Sequence, residues 1–391
     1  MTAPPKRRSY LIAPAPDTGR DLVTEEFTVN MGPQHPSTHG VLRLEIVTDG
    51  EIVVDAVPHL GYLHRNFEKH AENEGWQQVV PYCDRLDYLA SMNMDHGYAL
   101  AVEKLAGIEP NRRVQTLRVL FAELQRIASH IVAIGTYGLD LGAMTPFWWL
   151  FRDREMILDI FETVCGARLL YNFMWVGGLS HDLQEGMEDR IRDFVDYFEP
   201  RLREVDVLLT DSHIFIERTA DVGVLPAEVA LEYACTGPVL RGSGVEWDLR
   251  RDEPYDIYPE LDFDIVVGQG AKGTLGDCWD RYWVRLEEMR QSCRIIRQIL
   301  DRGIPEGDVR ESVPKKLKVP AGECYARSEA PRGELGFYLA SGGKDRPERV
   351  RCRSGCFCNL SALPELVPGV MLGDLVAIIG SVDIVLGEVD R

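Results

Sequence analysis

Apolar positions change their spacing along the chain. Between Phe27 and Val54 they fall in short runs: Val41, Leu42, Leu44 and Ile46, then Ile52, Val53 and Val54. Between the runs lies Asp49-Gly50, a dipeptide that favours the tight turn of a hairpin, so strands are expected to open the fold. After Asp84 the spacing becomes helical. From Asn111 onward Leu117, Leu120, Phe121, Leu124, Ala128 and Ile131 recur every three or four residues, the period of a buried helix face. Thr145-Pro146 reads as the N-cap and first-turn proline of a second long helix, with Phe147, Leu150, Phe151, Arg154, Leu158 and Phe161 along one face. A third helix is expected over about 182–209, with Ile191, Phe194, Phe198, Leu202 and Val205 inward and a kink at Pro200. A fourth is expected over about 275–300, with Trp279, Tyr282, Leu286, Met289 and Ile296 inward.

Four long amphipathic helices pack most simply as a bundle. Residues 334–340 and 349–352 look like a second hairpin around Gly342-Gly343. The expected class is therefore mainly α with peripheral β (α+β), in one domain over 25–391. Residues 1–24, rich in Pro with Asp and Arg and without periodicity, read as a flexible arm or a strap over a partner.

Composition narrows the function. Hydrophobic residues at 45% and charged residues at 27% are ordinary for a globular chain. With 43 Lys and Arg against 62 Asp and Glu the net charge is -19, a field that opposes binding to nucleic acid or anionic lipid. The most apolar stretch, 369–386, is interrupted by Asp374 and Asp383, so it falls short of the roughly 20 apolar residues of a spanning helix. Membrane contact is expected only through partners. Lys6, Arg7 and Arg8 precede no apolar run of signal-peptide length, which points to a cytoplasmic protein.

Nine cysteines, most of them far apart, do not make a disulfide framework. Cys352, Cys356 and Cys358 are the exception, a thiol cluster that could bind metal or be purely structural. All nine histidines precede residue 214. His35 and His39 have a metal-ligand spacing, but Gly32, Pro33, Pro36 and Gly40 argue against a helix there and no HExxH arrangement is present. The alternative is a polar turn whose histidines bond nearby backbone.

The same turn carries a resemblance. Met31-Gly-Pro-Gln-His-Pro-Ser-Thr-His-Gly40 resembles the opening motif of a family found in respiratory complex I, the D-type, quinone-site subunits of NADH-quinone oxidoreductases. The resemblance continues through Pro58-His-Leu-Gly-Tyr-Leu-His-Arg-Asn-Phe-Glu-Lys69, Asp84-Arg-Leu-Asp-Tyr-Leu89 and Gly138-Leu-Asp-Leu-Gly-Ala-Met-Thr-Pro146. Pro331-Arg-Gly-Glu-Leu-Gly-Phe337 and Ile384-Val-Leu-Gly-Glu-Val-Asp-Arg391 extend it to the last residue.

The resemblance implies a long-helix fold like that of the nickel-iron hydrogenase large subunit. It implies a place in the cytoplasmic arm, on the cytoplasmic face of the membrane, beside the subunit that carries the terminal iron-sulfur cluster and with the C-type subunit of the same complex as a further partner. No cofactor would be bound by the chain itself; quinone would be its substrate. His39 and Tyr88 match the pair that hydrogen-bonds the quinone headgroup, and Asp140 matches the acidic partner of that histidine. A phenol and an imidazole suit the chemistry, since quinone reduction takes two electrons and two protons at the carbonyl oxygens. Arg65 matches an arginine beside the terminal cluster, and Asp383 and Val385 match a region lining the quinone cavity. Without the resemblance Tyr88 reads as a core aromatic, Asp140 as a loop acid, Arg65 as a surface arginine and 383–385 as part of a buried terminal strand.

Two departures stand out. Leu170 occupies a position where many members carry a histidine near the cluster, which would suit a lower-potential quinone such as menaquinone. Hydrogenase chemistry would need two separated cysteine pairs, and the N-terminal region offers only Cys83. A silent scaffold, or the same site fed by ferredoxin or another donor, remain the competing readings.

Overall fold

The computed structural model describes residues 26–314 and 316–391; the arm expected over 1–24 lies outside the described residues. The first described elements form a three-stranded antiparallel sheet in spatial order β1 (Glu26–Met31), β2 (Arg43–Asp49), β3 (Ile52–His59). Alternation along β2 buries Leu44 and Ile46 on one face, as a half-buried strand requires. Asp49 pairs with Ile52, so the turn is Gly50-Glu51, one residue past the expected dipeptide. Gly50 supplies the positive φ of 61° that the turn needs.

The expected long helices are present, with shifted ends. Between the sheet and the bundle runs α1 (Ser91–Ala106). Next comes α2 (Arg112–Asp140), N-capped by Asn111, whose side chain accepts from the Val114 amide at 3.1 Å. α2 is buried around most of its circumference, and its charged residues Arg118, Glu123, Arg126 and His130 lie inside the molecule with its Leu and Ile side chains. α3 (Met144–Cys165) starts two residues early, so Thr145 lies in the first turn and no side chain caps the helix. α4 (Met187–Val205) follows Gly186 in the left-handed conformation, starts later than expected and runs through Pro200. α5 (Cys278–Arg302) is capped by Asp277, which accepts from the Asp280 amide at 2.9 Å.

The C-terminal sheet has one strand more than the pattern predicts. Its order is β4 (Gly322–Ala330), β5 (Gly333–Ser341), β6 (Arg349–Arg353), all antiparallel. β4 escapes a periodicity reading because its outer positions are Glu323, Tyr325 and Arg327, which look like loop composition. Four helices close the chain: α6 (Gly355–Ser361), a short one over Leu363–Leu366, α7 (Leu372–Val382) and α8 (Leu386–Asp390). Residues 383–385 are thus the joint between two helices, not the strand that composition suggests. Two apolar clusters hold the whole. One joins the first sheet to α2–α5 and α7; the other packs α1 against β5 and β6 through Tyr98, Leu335, Phe337 and Val350. The observed class is the α+β expected.

One close approach governs where the second sheet sits. Ala330 pairs with Gly333, so Pro331-Arg332 is the turn between β4 and β5. Gly237, at φ 66°, backs onto that turn: a Cβ there would come within 2.4 Å of the Gly333 Cα. Gly107, the C-cap of α1 at φ 68°, faces open space. Gly107→Ala should therefore cost only the left-handed penalty of about 1–2 kcal/mol. Gly237→Ala should add an overpacking cost of about 1–3 kcal/mol. Urea unfolding midpoints of the two variants should separate in that order.

Candidate functional site

The Pro331-Arg332 turn drives an arginine into the interior, where Arg332 is 2% exposed. A buried guanidinium is tolerable only if its donors and charge are met. Nη1 donates to Asp87 Oδ2 and to Ser129 Oγ, each at 2.7 Å. Nη2 donates to Asp383 Oδ1 and Nε to the Asp383 carbonyl, both at 3.2 Å. The Arg332 carbonyl is held in turn by Asn359 Nδ2 at 3.1 Å. One side chain therefore ties the turn before α1, the middle of α2 and the end of α7.

Asp383 is shaped for this role by the end of its helix. It is the left-handed C-cap of α7, at φ 57°, a conformation Asp adopts more readily than most residues. Arg285 of α5 reaches the same helix end: its Nη1 and Nη2 donate to the Ser381 and Val382 carbonyls at 2.7 and 3.1 Å, favourable for a cation at a helix C-terminus. Arg285 Nε stands 3.6 Å from Asp383 Oδ2, which is buried without a hydrogen-bond partner. Asp87 also forms a local turn, accepting from the Leu89 amide at 3.0 Å, and that turn sets the backbone of Tyr88. Burial pushes the Asp87 carboxyl up to about 6, against the pull of Arg332.

His39 and Tyr88 both lie within the field of this cluster. His39 ends the short helical turn Pro36–Thr38 at φ 54°. The residue is exposed, and desolvation by the protein around it is the main cause lowering its pKa. Asp383 raises and Arg332 lowers the same pKa. Tyr88 is half-buried; burial first, then Asp87, push its phenol above the usual value, while Arg332 and Arg65 oppose this. The Tyr88 hydroxyl has no hydrogen-bond partner among the described residues.

The other residues singled out by sequence lie as follows. Asp140 ends α2, half-buried, its pKa raised by burial; the charge that acts on it is His35, not His39. His35 itself forms the polar turn, its Nδ1 accepting from the Ser37 amide at 3.2 Å. Arg65 is exposed and donates to the Arg85 carbonyl. Val385 is buried, and its amide donates to Cys356 Sγ at 3.3 Å. Cys352 and Cys356 are buried, Cys358 is half-buried, and burial pushes all three thiols up. No group of three or more His, Cys, Asp or Glu among the described residues is arranged to hold a metal ion. Leu170, in the loop after α3, is half-buried with φ 57°, unusual for a branched residue.

The family model of the respiratory-chain NADH dehydrogenase 49 kDa subunit matches residues 140–316 and 310–391. The D-type subunit of NADH-quinone oxidoreductase from Chlorobaculum tepidum is 56% identical over 375 residues, 95% of this chain and 94% of that protein. Its counterpart from Chlorobium luteolum is 57% identical over 376 residues, 95% of each chain. That from Amoebophilus asiaticus is 53% identical over 388 residues, 97% of this chain and 96% of the other. The chain belongs to the 49 kDa subunit family of respiratory-chain NADH dehydrogenase.

As a member of the 49 kDa family the chain is one subunit of an oxidoreductase complex, complex I, so its partners include other complex I subunits. No helix among the described residues is long and apolar enough to cross a membrane. Arg332, Asp87 and Ser129 were not foreseen as site residues, although two of them stand inside motifs that carry the family resemblance: Arg332 in residues 331–337 and Asp87 directly before Tyr88.

The opposed influences on His39 set its response to substitution. Histidine-selective NMR should find its midpoint below the ordinary 6.5, lower still in Asp383→Asn and higher in Arg332→Met. Because the folded value lies below the unfolded one, His39 contributes a rise of stability with pH from the folded midpoint up to about 6.5, and no further rise above it.

Proposed function

We propose that the site bearing His39 and Tyr88 reduces quinone, as part of a proton-translocating NADH-quinone oxidoreductase. The neighbouring subunit's terminal iron-sulfur cluster supplies the electrons; this chain binds the headgroup and handles protons. The observation that carries the reading is the Tyr88 hydroxyl, partnerless among the described residues and held protonated by burial and by Asp87. Such a group donates to a quinone oxygen as negative charge grows there. His39, which shares the influence of Arg332, is the second donor. Its neutral ring is favoured at rest, so it donates as imidazole or first takes a proton; Asp383 favours the charged form. Asp140 would act on this turn through His35. Asp383 and Val385 would line the inner cavity wall.

Arg65, exposed with its guanidinium fixed by a backbone carbonyl, is the fixed cation that would face the neighbouring cluster and favour its reduced state. Leu170 in place of a titrating histidine would leave that cluster with a low potential that varies little with pH, matched to a quinone such as menaquinone. The chain would sit on the cytoplasmic face, held to the membrane by its partners, with the cluster-bearing subunit and the C-type subunit beside it.

Two other readings have distinct consequences. A donor other than NADH would change the input module and leave these residues in the same roles. A silent scaffold would need none of them. In assembled complex, Tyr88→Phe should lower quinone turnover by about 100-fold or more, the range for loss of a general acid, while the clusters still reduce. His39→Ala should do likewise. Unchanged turnover in both would leave only the scaffold.

A further inference from the structure

The outer face of the second sheet carries an unusual row. Register places Tyr325 of β4 opposite Tyr338 of β5, and Tyr338 opposite Arg351 of β6. This row floors a hollow of about 380 Å³, completed by Arg353, Phe357, Cys358 and Arg391. A second hollow of about 310 Å³ adjoins it, with His64, Lys69 and Arg349 among its walls. Arg351 and Arg391 line both, so the two form one trough.

The trough is basic on a chain whose net charge is -19, and its own acids are engaged. Glu68 accepts from Arg349 at 2.9 Å and from the Cys352 amide at 3.3 Å. Asp390 accepts from the Gly61 and Leu63 amides at 2.9 and 2.7 Å. Arg351 is exposed and meets no partner among the described residues. Arg391 meets a ring, Phe357, and a carbonyl, that of Cys352 at 2.6 Å, but no carboxylate among the described residues. β6 is an edge strand, yet it is a poor template for strand addition, because the outward amide and carbonyl of Cys352 are taken by Glu68 and Arg391. Recognition must therefore come from side chains. Two guanidiniums without carboxylates, one beside Tyr338 across the strands and one over the Phe357 ring, suit carboxylates flanked by an apolar side chain.

We propose that this trough docks an acidic polypeptide segment of another subunit of the complex, whose carboxylates meet Arg351 and Arg391. The proposal rests on membership in a multi-subunit complex and not on the quinone reading. A lipid headgroup or free phosphate shares the charge but does not use the aromatic floor, and nucleic acid is opposed by the charge of the whole chain.

The test places the photo-crosslinking residue benzoylphenylalanine at position 351 in the purified, assembled complex and identifies the joined peptide by mass spectrometry. The expected product is a segment of another subunit carrying two or more Asp or Glu close to the crosslink. In parallel, Arg351→Glu should weaken retention of that subunit by about tenfold or more across a salt gradient, as loss of a close interfacial charge pair does, and Arg351→Lys should keep most of it. Quinone turnover per intact complex should stay unchanged. Crosslinking to lipid, to this chain itself, to an acid-free segment or to nothing would overturn the proposal. Unaltered salt stability of Arg351→Glu would do so too, as would lost turnover in an intact complex, which would move Arg351 into the redox site.

Discussion

The guanidinium of Arg332 is the constraint from which the site's geometry follows. A buried cation this far from water must be surrounded by acceptors, and Asp87, Ser129 and Asp383 can surround it only if three distant parts of the chain converge. The glycines at 237 and 333 permit the turn that drives it inward, Asn359 fixes its carbonyl, and the left-handed end of α7 presents Asp383 to it. His39 and Tyr88 both feel this cluster, but it is burial that chiefly biases the one towards neutrality and the other towards its protonated phenol.

The cluster continues inward. Arg285 lies in the field of both Asp383 and Glu288, and Glu288 Oε2 meets His130 at 2.9 Å while its Oε1 meets Arg241. Arg241 in turn meets Glu329 at 2.8 Å, and Glu123 holds Arg126, Arg250 and the Tyr258 hydroxyl on the same central helix face. Paired arginines hold Glu123 and Glu288 below the usual carboxylate range despite the cost of burial. Such networks contribute little net stability over apolar packing, but they penalise any arrangement that leaves one member alone. They therefore favour a single register for α2 against α5 and the second sheet.

The long helices were legible because apolar residues recur with the helical period along α4 and α5, and also along α2, although α2 is buried around most of its circumference. Their ends were less so: Thr145 has the chemistry of a cap and lies inside a turn, since the backbone of Ala143 and Met144 already begins the helix. β4 was missed because a strand with an outer row of charged and tyrosine side chains has no apolar alternation to read. Arg332 and Asp87 were missed for a related reason. A charged residue looks like surface in sequence, and its burial follows only from partners 245 residues apart, which no local pattern encodes. His39, Tyr88 and Asp140 were all singled out through motif resemblance, and the charge that acts on Asp140 is that of His35.

That separation along the chain has a bearing on how the protein is made. During synthesis Asp87 and then Ser129 leave the ribosome long before Arg332, and Asp383 follows last. Until the end of α7 emerges, the guanidinium has one carboxylate where it needs two, and α7 has no end for Arg285 to cap. The Arg332 cluster is thus completed only once α7 has emerged, and a chain halted before Asp383 would hold a guanidinium one carboxylate short of its partners.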